Sequence, residues 1–122
     1  MAAVTRTGRR PGLAAGLASA GAAGATVVLL DGRRTSTKAG LMAEIASGLA
    51  LPAWFGSNWD ALVDALRERT PAAGLCLVWD GADIAAGRDA DLVGTLADIV
   101  EDLAGEGHPV TLVLRSRAAV PA

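Results

Sequence analysis

Three short apolar runs constrain this chain more than any other feature: ATVVLLDG from Ala25, GLCLVWDG from Gly74 and PVTLVLRS from Pro109. The first two are continuous apolar runs that end in Asp-Gly, the pattern of strands buried on both faces, and the third is the last strand. Between the first two runs lie two segments of helical spacing. TSTKAGLMAEIASGLALP opens with capping hydroxyls, sets Leu41, Met42, Ile45 and Leu49 on one side and closes before Pro52. SNWDALVDALRER places Trp59, Leu62, Val63 and Leu66 at i, i+3, i+4 and i+7, with Ser57 or Asn58 as the N-cap. Before the third run, DADLVGTLADIVEDLAGEG turns Leu92, Leu96, Ile99, Val100 and Leu103 inward, and Gly105 or Gly107 stops it. Strands separated by helices imply right-handed crossovers and parallel pairing. The expected fold is α/β, a three-stranded parallel sheet flanked by helices.

A chain of 122 residues suits one domain. Its expected bounds are 25–117, after a flexible or Ala/Gly-rich helical extension over 1–24 and before a tail over 118–122. The extension begins with basic residues, but its apolar stretch is Gly and Ala with only Leu13 and Leu17, weak for the core of a secretory signal. The first ten residues are expected to be loose and Pro11 to Ala23 to form a marginal helix or linker. No run of about eighteen apolar residues free of Gly and charge occurs, so no membrane span is expected. Cys76 is the single cysteine, which excludes an internal disulfide and suits a reducing, cytoplasmic compartment. With one histidine, His108, a His/Cys zinc site cannot be assembled, and no metal or cofactor is expected.

The net charge of −2 conceals a segregation. From Asn58 to Gly107 eleven acids face three arginines, a balance of −8, while both flanks are basic. An acidic middle argues against direct nucleic-acid binding and permits a basic partner. Part of that charge is concentrated in PAWFGSNWDALVDAL, which also holds Trp54, Phe55 and Trp59, three of the four aromatic residues. Asp60 and Asp64 are one turn apart and stack on one helix face, with Glu68 continuing the row. The helix dipole favours an acid at Asp60, but Asp64 lies a turn deeper and is repelled by Asp60, though Arg67 at i+3 can offset this. Trp59 falls on the apolar stripe and reads as core or core edge. Phe55 reads as core, and Gly56 supplies a turn. Farther on, Glu101, Asp102 and Glu106 crowd the end of a helix, where acids oppose the dipole.

LALPAWFGSNWDALVDAL, then LCLVWDG, then a helix ending EDLAGEG before PVTLVL, resembles the barstar family, bacterial intracellular inhibitors of a secreted guanyl-preferring ribonuclease. The likeness runs from about Val27 to Ser116. It implies a cofactor-free protein that forms a 1:1 complex with a basic ribonuclease or ribonuclease toxin. It also implies that Asp64 enters the phosphate-binding site of that enzyme, that Asp60 meets its cationic rim, and that Trp54 packs against its cleft. Asn58 either caps the helix or touches the partner, and Trp59 and Val63 belong to the same helix. At the position of Asp102 the family has a contacting glutamate, one methylene longer, and at Val63 it has a tryptophan. Two other readings stand beside inhibition. The fold can serve as a non-inhibitory interaction module, or Asp31 and Asp80, each ending a parallel strand, can hold Mg²⁺ for phosphoryl transfer in the crevice beyond the strand ends.

Overall fold

β3 (Leu75–Asp80) is buried along its whole length, as an uninterrupted apolar strand requires. The computed structural model describes residues 3–7, 24–51 and 58–116. In it β3 lies inside a four-stranded parallel sheet ordered β1 (Val4–Thr7), β4 (Val110–Arg115), β3, β2 (Thr26–Asp31). The sequence reading counted three strands, and β1 is the fourth. Val-Thr-Arg-Thr carries no apolar run, and what makes it a strand is the free edge of β4, against which Val4 pairs with Leu112 and Thr7 with Arg115.

β2 leads into α1 (Lys38–Gly48) and α2 (Trp59–Arg69), and β3 into α3 (Ala82–Arg88) and α4 (Ala90–Gly105). The register puts Val28 and Leu30 of β2, Leu77 and Trp79 of β3 and Leu112 and Leu114 of β4 on one face of the sheet. All six are buried, and with Leu41, Met42, Ile45, Leu62, Leu66, Leu96 and Val100 of the helices they form one core. Each such side chain is worth roughly 1.5–3 kcal/mol on burial. β2 departs from the expectation of burial on both faces. It is an edge strand whose Leu29 is 47% exposed, because a strand with one neighbour leaves half its surroundings open.

Capping explains where the helices begin. Oγ1 of Thr37 accepts from the Gly40 amide at 3.0 Å, and Oδ1 of Asn58 accepts from the Ala61 amide at 2.8 Å. Such caps are worth about 1 kcal/mol each. α4 stops in a Schellman motif: the Gly107 amide donates to the Ala104 carbonyl and the His108 amide to that of Leu103, with Gly107 at φ 97°. Thr35 is fully buried, and its hydroxyl accepts from the Trp79 indole at 2.7 Å while donating to the Asp31 carbonyl at 2.8 Å. That relay fixes the loop before α1 to the interior strand β3. Trp54, Phe55 and Gly56, and the segment 11–23, lie outside the described residues.

Candidate functional site

α2 builds the first part of the site by dividing its residues between two sides. Leu62 and Leu66 are fully buried, and Trp59 and Val63 pack half-buried against the same core. Trp59 therefore sits at the core edge, as the apolar stripe indicates, with the Lys38 ammonium 5.9 Å from its ring centroid. Asn58 resolves to a cap in its bonding and remains exposed at the head of the helix. Asp60 and Asp64 point the other way and are exposed. Asp60 belongs to the first turn, where the dipole favours an acid. Asp64 has a side chain 77% exposed, with Arg67 Nη1 3.7 Å from its carboxylate.

α4 supplies the second part. Leu96, Val100 and Leu103 are buried, so Asp98, Glu101 and Asp102 are turned to solvent, and no basic residue occupies the last turn. The two helices meet at their C-terminal ends through a bond that crosses 39 residues of sequence. Arg67 Nε donates to Glu106 Oε1 and Nη2 to Oε2, each at 3.0 Å, a two-pronged pair, and His108 Nε2 lies 3.9 Å from the same carboxylate. Arg67 holds the Glu106 carboxyl below the ordinary range, chiefly by those hydrogen bonds, and Glu106 raises the guanidinium in return. The sequence places Arg67 beside Asp64 at i+3. Nothing local signals the second pairing, because the two residues meet only when α2 and α4 pack on the same sheet.

The strand-end acids do different work. Asp80 is buried, and Arg115 Nη1, on the adjacent strand, donates to its Oδ1 at 2.6 Å. Asp31 Oδ1 accepts from the Arg33 amide at 2.9 Å, a turn bond. The glycines that follow them meet: the Gly32 amide donates to the Asp80 carbonyl, and a Cβ on Gly32 would overlap the carbonyl of Gly81. Both Asp-Gly pairs thus have a structural reason, in turn formation and close backbone approach. Among the described residues no group of three or more His, Cys, Asp or Glu is placed to hold a metal ion, and no described helix is long and apolar enough to cross a membrane.

Among curated proteins, none matches the chain. The family model described as barstar (barnase inhibitor) matches residues 25–115, about three quarters of the length and all of the sheet except β1. Taken with a parallel sheet whose helices carry an exposed acidic row, that match means that the chain belongs to the barstar family.

Proposed function

We propose that this protein is a cytoplasmic inhibitor that binds a basic ribonuclease or ribonuclease toxin in a 1:1 complex and closes its active site, as an antitoxin or immunity protein does. Asp64 enters the phosphate-binding site and Asp60 and Asp102 meet the surrounding cations. Trp54, Asn58, Trp59 and Val63 complete the contact surface. A carboxylate there stands in for an RNA phosphate and accepts charge-assisted hydrogen bonds from Arg, Lys or protonated His. Inhibition follows from occupation, without chemistry.

The observation that carries this reading is the exposure of Asp64. Its side chain is 77% exposed, and its ion pair with Arg67 is long, so folding gains little from an acid that Asp60 repels. Membership of an inhibitor family supplies the rest of the support. The test is titration of the purified protein into RNA-cleavage assays of barnase and of other basic extracellular ribonucleases. Loss of activity ending at one equivalent, with association slowed by salt, is expected. Undiminished cleavage across the panel at excess protein overturns the proposal.

A second reading, an interaction module without inhibitory power, is favoured by Val63, a small half-buried residue where barstar has a tryptophan. Binding of a ribonuclease that continues to cleave RNA would identify it.

A further inference from the structure

The acidic surface contains its own cation. Arg67 is on the helix that carries Asp60 and Asp64, yet its guanidinium is committed to Glu106 at two points of 3.0 Å, with its third nitrogen 3.7 Å from Asp64. One planar fork therefore touches a carboxylate from each acidic element. Its side chain is 44% exposed and that of Glu106 42%, so the cation lies on the surface among the acids and not beneath them. Among the described residues no cation lies within ion-pair distance of Asp60 or Asp102. The surface is thus unequal: its Asp64–Glu106 end is already neutralised in part, while Asp60 and Asp102 are not.

We propose that Arg67 is an intramolecular competitor for the partner's cations, and that it sets how strongly and how selectively the acidic face binds. This rests on the inhibitory reading above and adds a specificity-determining residue to it. The chemistry is symmetrical. A partner's arginine or lysine seeks the same lone pairs that Arg67 holds, and the guanidinium fork is the group best matched to a carboxylate. A partner with a concentrated cationic site displaces or shares Arg67, whereas a diffusely basic protein meets a surface of reduced charge. The like-charged approach of Arg67 also opposes encounter, since steering follows the local field.

The experiment compares four proteins, the wild type, Arg67→Gln, Glu106→Gln and the double variant, with Arg67→Lys as a control. Each is measured for association with barnase at low salt and for binding of a fluorescent oligo-arginine peptide. Competition predicts that Arg67→Gln binds both probes roughly three- to tenfold more tightly. Glu106→Gln frees Arg67 to turn onto Asp64 and weakens binding, and the double variant returns close to the wild type. Arg67→Lys keeps the charge and stays near the wild type. Were Arg67 instead a positioning residue for Glu106, both Arg67→Gln and Arg67→Lys would weaken binding, which overturns the proposal. Unchanged binding of both probes by Arg67→Gln overturns it as well. Tighter peptide binding with no effect of any protein on barnase sinks the inhibitory reading for that enzyme and leaves Arg67 as the element that masks the acidic face.

Discussion

Asp80 and Asp64 are the same side chain in the same acidic segment of the sequence, and the fold uses them in opposite ways. Asp80 has a side chain 6% exposed with Arg115 at 2.6 Å, while that of Asp64 is 77% exposed with Arg67 at 3.7 Å. Removing a carboxylate from water costs several kcal/mol, so a buried one is tolerated only with a partner in good geometry. An exposed one keeps its water and needs no partner to be stable. Charge type therefore does not mark function. What matters is whether the protein itself has already satisfied the charge, and an acid left to solvent by a fold that derives little from it is one that another molecule can claim.

Breaking the buried member should produce the largest effect. Asp80→Ala takes away the carboxylate that pairs with the Arg115 side chain, itself only 14% exposed, and about 3–5 kcal/mol of stability is expected to be lost in urea unfolding. Asp64→Ala in the same assay should change stability by less than about 0.5 kcal/mol. Equal losses would erase the distinction between the two acids. On binding the order reverses: Asp64→Ala is expected to weaken a ribonuclease complex by about 2–5 kcal/mol, more than Glu68→Ala, because desolvated cations on the partner are left unpaired. That range reflects charged interfaces that include barnase and barstar themselves. A smaller loss than Glu68→Ala removes Asp64 from its role.

Asp102 is expected to show the same division between stability and binding at lower amplitude. It has Asp98 and Glu106 at four residues on either side and the negative end of the helix dipole below it, penalties of about 0.2–0.5 kcal/mol per pair and about 0.3–1 kcal/mol respectively. Asp102→Ala should melt at the same temperature or slightly higher while binding ribonuclease less tightly. A lower melting temperature with unchanged binding makes Asp102 structural. The smallest expected effect belongs to the exposed Arg67–Glu106 pair. The folded pKa of Glu106 lies below its unfolded value, so the pairing stabilises fully above the ordinary carboxylate range. That stabilisation is lost as pH falls through the lowered folded value. The melting temperature of Glu106→Gln should therefore lie slightly below the wild type at neutral pH and converge with it in acid. A gap that widens on acidification contradicts the assigned ionisation.

Helices α2 and α4, their apolar faces and the exposed Asp60, Asp64 and Asp102 were legible in the sequence, and so were the cap and the stop to within two candidates each, Ser57 or Asn58 and Gly105 or Gly107, of which the structure uses Asn58 and Gly107. Each depends on residues within a few turns of one another, and periodicity records such local relations. α3 was missed because ADIAAGR is short and buries only Ala82 and Ala85, too little apolar contrast to register. Of the contact surface, Trp54 lies outside the described residues, and Val63 is half-buried against the core.

VVLLD in β2 and LCLVWD in β3 read alike, and their apolar runs are enough to make both strands of a parallel α/β arrangement. That β3 has neighbours on both sides while β2 has one, leaving Leu29 at the surface, is set when the sheet assembles. The same holds for charge. Composition set the acidic middle, but Arg115 reaches Asp80 across 35 residues and Arg67 reaches Glu106 across 39. β1 joins the sheet at the open edge of β4, with Val4 packed against the core. Strand order and cross-chain ion pairs depend on which surfaces are left unpaired after the local elements form. That is a property of the assembled sheet, and no window of the sequence contains it.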